Sequence, residues 1–340
     1  MPILVLQLSD FHIKHPDDPV LQRVDAIVAA IRGHSVTPSA CLVAVPGDVS
    51  YSGKPQEYKA AEEFFRELLS RLEQTYPGVH PEIVFAPGNH DCDMTLAADV
   101  RQRDLIRGIL PAVDINGAVA GHYLAVQTPF FHFARQFGQL HRNSTEQLSV
   151  RREFVSARSA RIAFTLYNTA WLSQDPEKPG TLFFPVAVLS PSIDATADVE
   201  IAMFHHPYNW LEPRNAMDFQ HFVESRSDIV LTGHEHLADS YAKQRAAGTV
   251  QLVAGQAMFD TREANNGFNL ILVHLSSKKW QLTAFNWDGK AFLTAGPAGH
   301  CMPFLRNKQL ADAGFQNNPD FADTLTDLGT LLSKTTLALR

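Results

Sequence analysis

Short apolar runs alternate along the chain with segments whose apolar positions recur every three or four residues. That alternation predicts strands interleaved with helices, and so an α/β fold. The runs place strands at Ile3–Leu8, Cys41–Val45, Glu82–Ala86, Ile162–Tyr167, Glu200–Phe204, Asp228–Leu231, Val250–Val253, Asn269–Leu275 and Trp280–Asn286. The last two are expected to pair across the polar turn at Ser276–Lys279. The clearest helix follows Pro55, where Tyr58, Ala61, Phe65, Leu68 and Leu72 share one face. Proline and Glu57 suit its first turn, because no N–H is needed there and the positive dipole end favours a carboxylate. A second helix is expected from about Leu21 to Ile31.

Residues 92–160 show no clear strand period and read as a helical insertion that includes Val119–Phe137. From Phe321 the helical spacing of Leu325, Leu328 and Leu332 runs on without a Gly or Pro stop. It reads either as a terminal helix or as a linker toward further domains. The expected organisation is a main domain over 1–305 and a helical tail over 306–340.

Composition narrows the class. Hydrophobic residues make up 45% and charged residues 19% of the 340, as in ordinary globular enzymes. No apolar stretch approaches the roughly 20 residues that a membrane span needs. Cys41, Cys92 and Cys301 are far apart and odd in number, which argues against a disulfide framework and for a cytoplasmic location. A net charge of −7 speaks against a protein that tracks nucleic acid over long stretches. Arg151, Arg152, Arg158 and Arg161 form a modest basic cluster, read as a solvated face.

The chemistry lies at the strand ends. The first predicted strand leads into Asp10-Phe11-His12, the second into Gly47-Asp48 and the third into Gly88-Asn89-His90-Asp91. The fifth leads into His205-His206-Pro207 and the sixth into Gly233-His234-Glu235-His236. Loops at the carboxyl ends of strands in α/β sheets can converge while the strands stay rigid. Each piece alone has a plain structural explanation: Asp-x-His and Gly-Asp are common turns, and a lone buried histidine is more often packed than ligating. Five together, each at a strand end, are hard to explain that way. Asp, His and Asn give mixed oxygen and nitrogen donors without thiolate, a set suited to Mn, Fe or Zn. Asp10, His12, Asp48, Asn89, His205 or His206, His234 and His236 are too many donors for one tetrahedral ion. They suit two ions sharing a carboxylate.

This arrangement resembles the calcineurin-like metallophosphoesterases, whose pattern is D-x-H, G-D, G-N-H-[D/E], H and G-H-x-H. Every element is present in order from Asp10 to His236. The resemblance implies a four-layer α/β sandwich of two mixed β-sheets flanked by helices. It implies that Asp10, His12 and His236 hold one divalent metal ion and Asn89, His205 and His234 the other, with Asp48 between them. The family's H-x-P spacing to Pro207 points to His205 as the ligand and leaves His206 behind it. His90 would stabilise the transition state or protonate the leaving oxygen, with Asp91 orienting it or holding its loop. Wording around Gly47–Lys54 and Asn209–Leu211 resembles a bacterial subgroup in which this domain begins a larger protein.

The expected activity is hydrolysis of a phosphodiester in a nucleotide, a cyclic nucleotide or another small molecule. The alternatives are a nuclease, which would need the arginine cluster as a channel, a phosphomonoesterase acting on phosphoproteins, and last an inactive scaffold.

Overall fold

The computed structural model describes residues 1–34, 37–96, 117–189, 197–236, 239–245, 248–259, 266–295 and 302–303. The predicted tail at 306–340 lies outside them. The described elements, in chain order, are β1 (Ile3–Gln7), α1 (Val24–Arg32), β2 (Ala40–Val45), α2 (Pro55–Thr75), β3 (Pro81–Phe85), α3 (Gly117–Leu124), α4 (Thr128–Gln136), α5 (Ser144–Leu148), β4 (Ser149–Val155), β5 (Arg161–Tyr167), β6 (Val199–Met203), α6 (Pro213–Glu224), β7 (Ile229–Thr232), β8 (Asp239–Arg245), β9 (Gly248–Ala254), β10 (Gly267–His274), β11 (Lys279–Trp287), β12 (Phe292–Thr294) and β13 (Met302–Pro303). All nine predicted strands are present, their ends within two residues of the expected bounds.

The strands form two mixed sheets. One runs β12-β11-β10-β1-β2-β3, with β13 also on β11, and the other β4-β5-β6-β7-β9-β8. In the first, β1 lies parallel to β2 and β2 to β3, while β10 and β11 are antiparallel. In the second, β5, β6, β7 and β9 run parallel and the outer strands β4 and β8 antiparallel.

Alternation along each strand explains the layers. In β1, Ile3 and Val5 join a core between the sheets with Leu42, Ala44, Ile162, Phe164, Ile201, Met203, Ile229 and Leu231. Leu4 and Leu6 point the other way, into a core with Ile27, Phe65 and Leu68 of α1 and α2. On the far face of the second sheet, Ala202, Val230 and Leu252 pack on Phe219, Phe222 and Val223 of α6. Both faces of each sheet are covered, so the central strands read as unbroken apolar runs rather than alternating ones. The result is the helix–sheet–sheet–helix sandwich.

Two departures from the sequence reading fall between residues 92 and 160. The span Val119–Phe137 is not one helix: α3 ends at Leu124, a 3-10 turn covers Ala125–Gln127, and Pro129 opens α4. Ser149–Val155 is a strand, β4, on the edge of the second sheet. An edge strand with one partner is half exposed, and this one carries two arginines and a glutamate, so its apolar signal is weak. Helix α6 and the edge strands β8, β12 and β13 also lay beyond the sequence reading.

Phe164 is fully buried between the sheets. Phe164→Ala should lower the unfolding free energy by about 3–5 kcal/mol, read from urea titrations. A loss below about 1 kcal/mol would contradict an apolar inter-sheet core that holds the layers together.

Candidate metal centre

The parallel strands β1, β2 and β3 of one sheet and β6 and β7 of the other end at the same edge of the sandwich, and their following loops are laced together. Asp10 N donates to the Gly47 carbonyl at 3.1 Å, and Phe11 N and His12 N donate to the Asp48 carbonyl at 2.8 and 3.0 Å. Across the sheets, His205 Nδ1 meets the Pro46 carbonyl at 2.8 Å, and His234 N donates to both Asp10 oxygens at 3.2 Å.

The backbone is bent to bring the side chains inward. Asp10, His12, Asp48, His234 and His236 have φ of 57°, 48°, 53°, 74° and 58°. Left-handed backbone costs an L-residue on the order of 1–2 kcal/mol, and such outliers persist where the surroundings over-determine them, commonly at functional sites. Glycine makes room at the tightest point: a Cβ on Gly88 would lie 2.6 Å from the Asp48 amide nitrogen.

Seven predicted side chains converge there. Asp48, only 1% exposed, divides its two oxygens. Oδ1 accepts the His90 amide at 2.9 Å. Oδ2 lies 3.3 Å from His205 Nε2 and 3.9 Å from His12 Nε2. On one side of it, His236 Nε2 lies 3.4 Å from Asp10 Oδ1 and 3.3 Å from His12 Nε2. On the other, Asn89 Oδ1 lies 3.1 Å from both His205 Nε2 and His234 Nδ1, which are themselves 3.1 Å apart. One donor atom from each of Asp10, His12 and His236 lies within 4.8 Å of the others, and so do those of Asp10, Asp48 and His205.

This is a crowd of electron-pair donors. The Pro46 carbonyl can only accept, so His205 Nδ1 carries the proton and Nε2 of the neutral ring presents a lone pair. That lone pair faces an amide oxygen, a carboxylate oxygen and a second imidazole nitrogen, and only a cation reconciles them. The residues therefore fit divalent metal ions, with a proton on His205 as the competitor. Burial alone would lower the His205 pKa, but Asp48 and Asp10 outweigh it and push it up to about 10. Burial lowers His12 to about 4, and burial beside His206 and His205 pushes His234 well down. Asp48 is buried, yet His205 holds its carboxyl well below the usual range.

The neighbouring residues hold this set in place. His90 Nδ1 meets the Tyr51 carbonyl at 2.7 Å, which leaves Nε2 as the nitrogen available for chemistry, and its ring packs 4.6 Å from that of His12. Asp91 does not reach the His90 ring. Its carboxylate accepts from the amides of Gly88, Ser50 and Val49 at 2.9, 3.0 and 3.3 Å, and from Tyr58 Oη at 2.9 Å. It pins the β3 loop to the β2 loop, while burial and the nearby Asp48 charge push it up to about 6.

His206 is fully buried with both ring nitrogens engaged, Nδ1 with Thr169 Oγ1 at 3.1 Å and Nε2 with Glu177 Oε2 at 2.9 Å. It packs 4.6 Å from the His234 ring without a nitrogen to spare. Glu177 escaped the sequence reading because it sits in an irregular loop 29 residues from its partner, with no motif around it. Burial would raise its pKa, but His206 holds it below the ordinary value. Ser9 Oγ donates to Asp10, Ser50 Oγ meets Tyr58 and Asp91, and Cys92 is buried beside Gln127. Two of the four clustered arginines are paired: Arg151 with Glu200 and Glu153, and Arg161 with Glu153. Among the described residues no helix is long and apolar enough to cross a membrane.

The calcineurin-like phosphoesterase family matches residues 3–238. No curated protein matches the chain. Similar solved structures include GAP50, the anchor in the inner membrane complex of Plasmodium, at 12% identity and TM-score 0.46, covering 93% of this chain and 95% of that one. Vps29 of Cryptosporidium parvum is similar at 13% identity and TM-score 0.35, covering 87% of this chain and 98% of that one. A predicted phosphoesterase of Streptococcus pneumoniae TIGR4 is similar at 9% identity and TM-score 0.31, covering 86% and 98% respectively.

The raised His205 pKa has a signed consequence for chelator-treated protein. Its folded value, about 10, lies above the unfolded value near 6.5. Its stabilising contribution is thus fully present below pH ~6.5 and is lost as pH rises through ~10. Urea unfolding of the wild type and His205→Gln should show a stability gap that narrows across that window. A gap independent of pH would contradict the Asp48–His205 ion pair.

Proposed function

The chain belongs to the calcineurin-like phosphoesterase family, and on that premise we propose that it hydrolyses a phosphodiester with two divalent metal ions. Asp10, His12 and His236 would hold one ion, Asn89, His205 and His234 the other, and Asp48 would lie between them. The observation that carries this reading is the placement of Asp48 Oδ2 between His12 Nε2 and His205 Nε2, at 3.9 and 3.3 Å. One carboxylate oxygen facing two separate sets of nitrogen and oxygen donors is the arrangement a shared ligand requires. The bonds of the His206 ring to Thr169 and Glu177 favour His205 over His206 as the ligand. Mn, Fe and Zn all accept this mixture of donors.

Bound ions of this kind supply Lewis acidity: they lower the pKa of coordinated water toward 7 and offset charge on the phosphoryl oxygens. The chain's own residues do the rest. His90 is the group that moves a proton at the leaving oxygen, through Nε2, because Nδ1–H is committed to the Tyr51 carbonyl. The hydrogen bond from its backbone N–H to Asp48 Oδ1 ties the proton donor to that carboxylate. Asp91 keeps the His90 loop from drifting. Glu177 and His206 support the His234 ring from behind.

A small substrate is favoured over a nucleic acid. The net charge is −7, and two of the four clustered arginines, Arg151 and Arg161, are paired with glutamates. A complete donor set with His90 beside it favours an enzyme over a scaffold.

Protein loaded with Mn²⁺ should turn over bis-p-nitrophenyl phosphate faster than p-nitrophenyl phosphate, and a chelator should abolish both activities. Asp48→Ala should lose more than about a hundredfold in kcat/KM, beyond the loss typical of a residue behind the ligands. Equal activity in Asp48→Ala, or turnover indifferent to chelator, would overturn the reading.

A further inference from the structure

We infer that Lys14 and Tyr51 form a subsite for a second anionic group carried by the leaving portion of the substrate; this rests on the phosphodiesterase reading above. The Lys14 ammonium lies 3.8 Å from the centroid of the Tyr51 ring. That ring in turn lies 5.3 Å from the His90 ring, tilted by 35°, and His90 packs against His12. Metal ligand, proton donor, aromatic ring and ammonium thus follow one another from the buried centre to the surface. His90 serves the leaving oxygen in this account, so the next groups outward face whatever that oxygen leaves with.

The position is built into the backbone. Ile13 N donates to the Val49 carbonyl at 3.1 Å and Tyr51 N to the Ile13 carbonyl at 3.0 Å, zipping the two segments side by side. Lys14 N donates to Asp18 Oδ2 at 2.6 Å, which fixes the backbone from which the side chain springs. The Tyr51 carbonyl that holds His90 belongs to the same residue whose ring carries the ammonium. Tyr51 is 43% exposed, unusual for an aromatic beside a buried centre.

Charge gives the subsite its selectivity. Among the described residues no carboxylate pairs with the Lys14 ammonium: Asp17 pairs with His15, and Asp18 is occupied by the backbone amides of Lys14 and His15. On a chain of net charge −7, an unpaired cation at the mouth attracts an anionic substituent and costs little when the substituent is absent. A lysine resting on an aromatic face keeps its remaining N–H groups for an incoming oxygen. The preferred substrate is therefore a phosphodiester whose leaving alcohol bears a carboxylate or a further phosphate.

The test uses the Mn²⁺-loaded 340-residue chain and two aryl methyl phosphates of equal size, with leaving groups 4-hydroxybenzoate and 4-hydroxybenzamide. The wild type should prefer the carboxylate by about fivefold in kcat/KM, the scale of one exposed charge pair, and the preference should shrink as salt is raised. Lys14→Gln should bring the ratio to about one with metal content unchanged, and Lys14→Arg should restore it. A wild-type ratio near one, or a preference that survives Lys14→Gln, overturns the subsite. Bis-p-nitrophenyl phosphate hydrolysis by the same preparations separates failure of the subsite from failure of the enzyme reading. Should that turnover be absent, binding of the two esters by ligand-observed NMR decides the subsite alone: carboxylate selectivity lost in Lys14→Gln supports it, and equal binding by the wild type refutes it.

Discussion

The Asp48 carboxylate is the interaction on which the site depends. It sits in left-handed backbone at the end of β2, with Oδ1 held by the His90 amide and Oδ2 turned toward imidazoles from both sheets. Burying a charge is costly unless it is paired and hydrogen-bonded, so its surroundings must supply positive charge. That demand pushes His205 up to about 10, while burial outweighs it at His12 and His234 and pushes them down. One charge is wanted at the centre, and the nearest nitrogen takes it. A metal ion satisfies the same demand more fully, because it can meet several lone pairs at once.

The sandwich makes that demand geometrically possible. Asp10, His12, Asp48, Asn89 and His90 come from the first sheet, His205, His234 and His236 from the second. The spacing between the two groups is therefore set by how the sheets pack, through Val5, Leu42, Phe164, Met203 and Leu231. Close packing at that density transmits small displacements, so distant core residues bear on the position of donor atoms that must agree within fractions of an ångström. The loop bonds from Asp91 and from the Pro46 carbonyl then fix what the sheets have brought near.

Much of this was legible in the sequence because central strands and their turns carry strong local signals. Nine strands announced themselves as apolar runs, and the donor residues stood directly after five of them, where side-chain type and position coincide. The parts that were not legible depend on the third dimension. β4 is an edge strand carrying two half-buried arginines, so its periodicity is diluted, and Arg151 is spoken for by Glu200, a residue 49 positions away. Glu177 approaches His206 only because an irregular loop folds back over the second sheet. The role of Asp91 turned on direction rather than identity: its carboxylate points to loop amides instead of the adjacent imidazole. The sequence left His205 and His206 as alternatives, and what favours His205 is three-dimensional: both His206 ring nitrogens already have partners.

The most direct test of the central claim is a crystal structure of Mn²⁺-soaked protein with anomalous differences recorded at the manganese edge. Two peaks about 3.5–4 Å apart are expected, flanking Asp48, one beside Asp10, His12 and His236 and the other beside Asn89, His205 and His234. A single peak, or two peaks with Asp48 touching neither, would contradict the shared carboxylate on which the reading of this site rests.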